Sequence, residues 1–132
     1  MSKGEDKVAR LLQRGCVAFE REKNFEDLRA GRYRFDFYCP YVFGKPAVIE
    51  VNGEQHYKRI PQFHKSITEF KKGQEHDRRK ISYCLANGIN IYCIPFWELD
   101  GLKDAVDLFN TKFLAKSRWH NDEVWTKRQL RQ

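Results

Sequence analysis

The stretch VIEVNGEQH, residues 48–56, decides the fold, because it carries a strand pattern with an acid in its interior. Its β-branched residues are typical of a buried strand, and Gly53 marks the end of the run. At the position of Glu50 a core strand normally has valine or isoleucine, and a buried carboxylate needs a base or a metal as its partner. The stretch therefore predicts a core strand over 47–52 that carries a partnered carboxylate.

A second acid lies in the preceding apolar run, YRFDFY, where Asp36 is surrounded by aromatic residues. This run predicts a strand over 32–39, followed by a connection over 39–46 that contains two prolines. A connection this short favours an antiparallel pair with the strand over 47–52. Asp36 and Glu50 would then lie on adjacent strands.

The alternation of side chains along a strand predicts which residues share a face. In the first strand Asp36 lies between Phe35 and Phe37, so both rings should point to the face opposite the acid. In the second strand Glu50 and Asn52 share a face. If the antiparallel pair is in register, Asp36, Glu50 and Asn52 converge on one side of the sheet.

The rest of the chain alternates helical and extended patterns. These patterns predict helices over 4–22, 68–87 and 101–115, strands over 25–28 and 89–94, and a loop or lid of about fifteen residues after Gly53. The order helix, strand, strand, helix, strand, helix indicates a small sheet covered by helices, which is an α/β architecture. A single domain accounts for residues 1–132.

The chain carries a formal net charge of +7 at pH 7, which favours a polyanionic partner, and nucleic acid is the commonest candidate. No apolar stretch approaches the ~20 residues of a membrane span, and the first residues do not resemble a signal peptide. The sequence therefore predicts a cytoplasmic or otherwise intracellular protein with no membrane partner.

The four cysteines lack the spacing of a zinc finger, and we interpret them as reduced core residues. Because metal ligands can come from distant segments, a zinc site formed by Cys39, Cys84, Cys93 and a histidine stays open as an alternative.

Two carboxylates on adjacent strands of a basic protein match the requirements of a magnesium or manganese site for phosphodiester cleavage. Mg²⁺ prefers oxygen ligands and keeps several waters, so Asp36, Glu50 and the backbone carbonyl of Val51 would suffice. Such an ion polarises a phosphate and lowers the pKa of the attacking water. The structural alternative is a salt bridge from each acid to a neighbouring arginine such as Arg34.

Four sequence segments together resemble the PD-(D/E)xK nuclease superfamily. They are FDFYCP at 35–40, VIEVNGEQH at 48–56, DRRK at 77–80 and GINI at 88–91. The similarity is greatest to the branch of very-short-patch mismatch-repair endonucleases, phage homing endonucleases and related small domains. It covers about residues 4–97 and implies a three-layer, restriction-endonuclease-like core with a small mixed β-sheet flanked by helices. Residues 101–132 would form a helical C-terminal extension.

The resemblance also implies roles for individual residues. Asp36 and Glu50 would bind the metal, and Glu5 on the first helix would orient a metal-bound water. His56 would act at the scissile phosphate as general base, general acid or transition-state donor, since its ordinary pKa of about 6.5 suits these roles. Gln55 would be a polar neighbour of the site.

The chain departs from the superfamily pattern at Asn52, where lysine is usual and where the nearest branch more often has aspartate. An amide can hold a water or a phosphate by hydrogen bonds, but it is not a charged ligand. Lys80, which shares a helix face with Asp77, would approach the site and supply the missing charge. If it does not, metal binding is weak and the protein is a DNA-binding or inhibitory module.

A dense basic segment beside the predicted site indicates DNA contact. Its lysines and arginines would neutralise several phosphates and make binding steeply dependent on salt. The predicted nucleic-acid-binding residues are Lys58, Arg59, Lys65, Lys71, Lys72, Arg78 and Arg79.

The sequence thus predicts a Mg²⁺- or Mn²⁺-dependent DNA endonuclease of phage, mobile-element or repair type, acting in a bacterial or phage-infected cell. A homodimer would suit double-strand or junction cleavage. Two alternatives besides the binding module stay open: an RNA-directed nuclease of the same fold, and a protein whose charge serves an acidic protein partner.

Overall fold

The computed structural model describes residues 2–131 and shows a mixed α/β fold built on one four-stranded sheet. The strands are β1 (Glu20–Asn24), β2 (Arg34–Val42), β3 (Lys45–Asn52) and β4 (Asn90–Pro95), and they lie in sequence order across the sheet. The pairs β1–β2 and β2–β3 are antiparallel, whereas β3–β4 is parallel. The predicted small mixed sheet flanked by helices is confirmed.

Helices cover both faces of this sheet and divide the core into two clusters. On one face, helix α1 (Lys3–Arg14) buries apolar residues at helical spacing, such as Val8 and Leu12, against Ile49 and Ile94. On the other face, helix α2 (Ile67–Ala86) buries Ile81 and Cys84 against Val48 and Ile91. The sheet is therefore the middle of three layers, because each of its faces has an apolar surface to bury.

The two phenylalanines that flank Asp36 lie on opposite faces of the sheet, which corrects the predicted alternation. Phe37 belongs to the α1-side cluster and Phe35 to the α2-side cluster. On the neighbouring strand, Glu22 between the paired positions has a φ of +54°, in the left-handed region. The side chains of β2 thus change face at Asp36, across from this left-handed residue, while the register of the β1–β2 pair does not shift.

The N-terminal third differs from the predicted elements. Helix α1 ends at Arg14 rather than at 22, and Cys16 then has a φ of +55° that turns the chain away. The following strand β1 was not predicted, because the sequence EREKN is polar and reads as a helix surface. The predicted short strand over 25–28 is wrong, since these residues form a turn before a 3₁₀ helix, Arg29–Gly31.

The connection between β2 and β3 is shorter than predicted. Strand β2 continues through Pro40 to Val42, so only Phe43 and Gly44 form the turn, with φ values of +52° and +84°. Two successive positive φ values are typical of a type I′ hairpin, whose twist matches that of the flanking strands. The predicted connection over 39–46 is therefore wrong in extent, while the antiparallel pairing is confirmed.

The second half agrees with the prediction up to the end of β4. Helix α2 ends at Ala86 and is capped by Asn87, and Gly88 follows with a φ of +67°. The predicted helix over 101–115 is wrong: only α3 (Ala105–Leu108) and short 3₁₀ turns lie there, and they cover the α1-side core. Helix α4 (His120–Leu130), in the predicted extension, packs against α2.

The cysteines are free thiols, and their positions argue against the zinc alternative. Cys39 lies in the α1-side cluster, whereas Cys84 and Cys93 lie on the other face of the sheet. Burial raises the pKa of Cys39 to about 11 and that of Cys84 to about 12, so both stay neutral. Across residues 2–131, no helix combines the length and apolar character needed to cross a membrane.

Candidate functional site

Asp36 and Glu50 meet where strands β2 and β3 separate. The regular pairing of the two strands ends at Phe37 and Ile49, which are the neighbours of Asp36 and Glu50 in the chain. The Asp36 N–H donates to Glu50 Oε2 at 3.0 Å, and the Val51 N–H donates to Asp36 Oδ2 at 2.8 Å. The two carboxylates thus accept bonds that backbone carbonyls accept in a regular ladder. The sheet positions both acids rigidly, as the predicted register requires.

The surroundings of Asp36 disfavour its ionised form. Burial raises the pKa of Asp36, and the nearby charge of Glu50 raises it further, while the bond from the Val51 N–H acts in the opposite direction. Glu50 itself is only 7% exposed. Two carboxylates in such an environment do not ionise together unless a cation neutralises them, so the site attracts positive charge.

Lys80 on α2 supplies one positive charge. Its Nζ donates to Glu50 Oε1 at 2.7 Å, and the side chains of Lys80 and Glu50 are 17% and 9% exposed. Burial disfavours the charged amine, but the charge and hydrogen bond of Glu50 outweigh burial and raise the pKa of Lys80. The lysine is therefore protonated and directed at the carboxylate pair, as the sequence predicted.

His56 lies in the short 3₁₀ helix Glu54–His56 that follows β3. Its ring contacts Asp77 on α2, the helix that also carries Lys80. Its Nδ1 is 2.8 Å from Asp77 Oδ2, which leaves Nε2 as the free ring nitrogen. Burial lowers the pKa of His56, but the hydrogen bond and charge of Asp77, with the charge of Glu50, raise it overall. Asp77 and Lys80, one helical turn apart, thus each hold one member of the site.

We expect that the Asp77→Asn substitution lowers the pKa of His56, because burial then acts without the opposing carboxylate. In the wild type the raised pKa stabilises the fold below the unfolded value of about 6.5, and this contribution is lost as pH rises through the folded pKa. An NMR titration of the His56 ring measures the shift, and Glu75→Gln, which removes another α2 acid, is the control. An unchanged His56 pKa in Asp77→Asn would contradict the assigned pair.

The remaining predicted site residues occupy different positions. Glu5 is in the first turn of α1, where its carboxylate accepts from the Ser2 hydroxyl, and its charge contributes to the raised pKa of Asp36. Gln55 lines a cleft beside His56. Asn52 is 3% exposed, and its Nδ2 donates to Asn121 Oδ1 at 3.3 Å. Asn52 therefore contacts the C-terminal segment in the interior.

The C-terminal segment covers the edge of the site, and sequence reasoning missed this contact. Arg78 donates to both carboxylate oxygens of Asp122, at 3.1 and 3.0 Å, and its guanidinium lies 4.7 Å from the centre of the Trp119 ring. Trp125 stacks on Tyr57 with 5.4 Å between ring centres. The paired acids at 122–123 opposite a basic helix were the one signal in the sequence for this packing.

A cleft of about 410 Å³ opens beside His56 and Lys80. Arg34 at the start of β2 and Arg32 just before that strand line the cleft, and neither was among the predicted nucleic-acid contacts. Together with Gln55 these residues give the cleft a basic, hydrogen-bonding wall. A phosphate group is the ligand chemistry that suits such a wall.

The predicted nucleic-acid contacts divide into free and engaged side chains. Lys71 and Lys72 are exposed on α2. Lys58 pairs with Glu54, Arg59 donates to the Lys65 carbonyl, Arg78 anchors α4, and Arg79 contacts Glu75 and Tyr33. Arg78 in particular has a structural partner, so its charge is less available to a ligand.

The donor set of the site fits a hard divalent cation. When both acids are ionised, their two negative charges face only one amine, so one further positive charge is needed to neutralise the site. Carboxylate oxygens are the ligands that Mg²⁺ and Mn²⁺ prefer. Within residues 2–131 there is no group of three or more histidine, cysteine, aspartate or glutamate side chains that could hold a metal. A cation at Asp36 and Glu50 would therefore need a backbone oxygen, such as the Val51 carbonyl, and water.

Comparison with known proteins gives one partial similarity. No family model and no solved structure matches the chain. A segment of 48 residues is 40% identical to Uncharacterized protein 307L of Invertebrate iridescent virus 6, which corresponds to 36% of this chain and 24% of the viral protein. The match thus spans about a quarter of that relative, and its name states no activity.

Proposed function

We propose that this protein is a Mg²⁺- or Mn²⁺-dependent DNA endonuclease that hydrolyses phosphodiester bonds. The observation that carries the proposal is the cross-bonded pair Asp36 and Glu50, fixed at the point where two strands separate and completed by Lys80. A buried acid whose pKa is raised by burial and by a neighbouring acid, as at Asp36, is typical of functional sites. The resemblance of the motifs to PD-(D/E)xK nucleases supports the same reading.

Asp36 and Glu50 would hold the metal, with the Val51 carbonyl as the third protein oxygen. When bound, such an ion polarises the scissile phosphate and lowers the pKa of the attacking water. Lys80 keeps its charge beside Glu50, so it can also bind a phosphate oxygen. It takes the place of the lysine that the superfamily usually carries at the position of Asn52.

His56 is better suited to donate a proton than to accept one. Asp77 holds Nδ1, so Nε2 is the atom available to a substrate. Because Asp77 and Glu50 raise the pKa of His56, the ring retains its proton closer to neutral pH. The imidazolium can therefore stabilise charge on the phosphate or protonate the leaving oxygen.

The charge distribution supports nucleic acid as the substrate. The net charge is +7, the cleft carries Arg32 and Arg34, and Lys71 and Lys72 are exposed on the adjoining helix. Several phosphate contacts of this kind make binding salt-dependent and independent of base sequence.

A panel of labelled linear, nicked, mismatched and branched DNA, digested with Mg²⁺ or Mn²⁺, tests the activity. We expect cleavage of at least one DNA form and no cleavage when EDTA is present. Failure of the wild type on every substrate with both metals would overturn the enzyme proposal and favour the binding module. Faster cleavage of the matched RNA substrate would favour the RNA-directed nuclease instead.

A further inference from the structure

A second pocket, of about 550 Å³, lies between helix α4 and strand β4. Cys93 and Pro95 of β4 form part of its wall, and residues of α4 form the opposite wall. None of the residues assigned to the proposed endonuclease site lines this pocket. It is therefore a separate surface that needs its own ligand.

Helix α4 divides its side chains between the two surfaces. Asn121, Asp122 and Trp125 contact Asn52, Arg78 and Tyr57 on the side of the carboxylate site. The pocket is lined by His120, Val124, Lys127, Arg128 and Arg131, which recur at the spacing of one helical face. One face of α4 thus secures the fold, and the other presents its side chains to the pocket.

The pocket has an excess of positive charge. Four cations line it, Lys112, Lys127, Arg128 and Arg131, against the single carboxylate of Glu98. Lys112 pairs with Glu98 at 3.0 Å, which leaves the three cations of α4 without a neutralising acid among the residues that line the pocket. A concave surface with this balance concentrates anions.

The pocket is also partly aromatic. Trp97 and Phe113 line it, and the guanidinium of Arg128 lies 4.6 Å from the centre of the Trp97 ring. A flat guanidinium supported by an indole is a platform on which a nucleic-acid base can stack. Duplex DNA keeps its bases stacked inside, so a surface that combines cations with aromatic platforms suits an unpaired nucleotide better than a duplex.

We propose that the pocket between α4 and β4 binds an unpaired single-stranded segment of nucleic acid, with Lys127 and Arg131 on its phosphates and Arg128 under a base. This proposal and the proposed function have only nucleic acid as the ligand in common, because binding in the pocket requires no cleavage. In a nuclease, the pocket would select substrates with a single-stranded flank, such as nicked, branched or displaced strands.

Fluorescence anisotropy with a labelled oligothymidine of about ten nucleotides tests the pocket directly, because this probe forms no duplex. We expect that Lys127→Glu/Arg131→Glu weakens binding at least ~10-fold and reduces the slope of log affinity against log salt by ~1.4, about 0.7 for each phosphate contact. Lys127→Gln/Arg131→Gln should also weaken oligothymidine binding, but by a smaller factor. Circular dichroism and thermal unfolding show whether each variant keeps its fold.

The matched control is Arg10→Glu/Arg14→Glu, which makes the same change in net charge on exposed positions of α1, on the other face of the sheet. An equal loss of binding in this control would overturn the pocket and leave only a general charge effect. Tighter binding of a nucleoside triphosphate than of the oligomer would overturn it in favour of a free nucleotide. Equal binding of polyglutamate would overturn it in favour of an acidic protein.

A further variant separates the two proposals. Asp36→Asn/Glu50→Gln should keep the oligothymidine affinity of the wild type, because the acids do not line the pocket. Loss of oligomer binding in this variant, with retention in Lys127→Glu/Arg131→Glu, would place the single strand at the carboxylates and overturn the pocket. If the wild type cleaves no substrate but loses oligomer binding in Lys127→Glu/Arg131→Glu, the pocket stands and the nuclease proposal fails.

Discussion

Replacement of Glu50 by glutamine is expected to lower the rate of DNA cleavage by at least ~1,000-fold, because the loss of one of two carboxylate ligands removes several kcal/mol of charge stabilisation. Glutamine has the same shape, but its single carbonyl oxygen can accept only one of the two bonds that the Asp36 N–H and Lys80 donate to Glu50, so thermal unfolding checks that the variant keeps its fold. Cleavage of the preferred substrate under single-turnover conditions measures the effect.

The same substitution should change the protonation of Asp36. Glu50 is one of the causes that raise the pKa of Asp36, so its removal allows Asp36 to ionise more readily. The new charge on Asp36 then partly neutralises Lys80, which limits the loss of stability. DNA affinity should stay within a few-fold of the wild type, because the phosphate contacts are made by other side chains.

Glu54→Gln is the matched control for Glu50→Gln. Glu54 follows the same strand but forms an exposed salt bridge with Lys58, with both side chains about half exposed. Its neutralisation should leave cleavage within about 3-fold of the wild type, since exposed ion pairs contribute little. Equal cleavage by Glu50→Gln and Glu54→Gln would remove Glu50 from the catalytic centre.

Calorimetric titration with Mn²⁺ provides an independent readout of the same site. The wild type should release or absorb heat on binding the ion, and Glu50→Gln should lose that heat. A heat signal that is unchanged in the variant would place the metal elsewhere.

Strands β2 and β3 and the acid pair could be predicted because local pattern determines them. The run of β-branched residues around Glu50 and the short connection to the strand of Asp36 are sufficient to predict an antiparallel pair. The facing of the aromatic rings was not predictable, because the side chains of β2 change face at Asp36, across from Glu22, which has a left-handed conformation. Alternation predicts faces only within an uninterrupted ladder.

The structural role of the C-terminal segment could not be predicted from periodicity. Helix α4 has no buried residue, so its sequence lacks the apolar stripe that identifies a packed helix. It is held by polar contacts, such as Arg78 with Asp122 and Asn121 with Asn52, and by the stacking of Trp125 on Tyr57. For the same reason Arg78, predicted as a DNA contact, proves to have a carboxylate partner within the protein.

Replacement of Lys80 by methionine should make the stability of the protein depend strongly on pH. Methionine keeps much of the length of the lysine side chain but lacks the amine, which pairs with Glu50 and lies 5.4 Å from the centre of the Phe35 ring. Breaking a buried ion pair by removing one partner costs about 3 kcal/mol, and we expect a loss of this size at pH 8. Lys72→Met, at an exposed position of the same helix, is the control, and its free energy of unfolding should change little.

The sign of the pH effect follows from the raised pKa of Asp36. An acid whose pKa is higher in the folded state stabilises the fold below its unfolded value, and this contribution is lost as pH rises through the folded pKa. Without Lys80 the charge of Glu50 has no amine to neutralise it, so Lys80→Met should lose stability steeply from acidic to alkaline pH. At pH 5 the loss should be much smaller, because one carboxyl group can hold a proton.

A divalent cation should reverse this loss, and that result would separate a metal site from a mere ion pair. Lys80 and a metal both neutralise Glu50, so a metal at Asp36 and Glu50 should stabilise Lys80→Met more than the wild type. Thermal unfolding at pH 8 with and without Mg²⁺ or Mn²⁺ measures the difference. Equal stabilisation of Lys80→Met, the wild type and Lys72→Met would show that the cation does not bind between the two carboxylates.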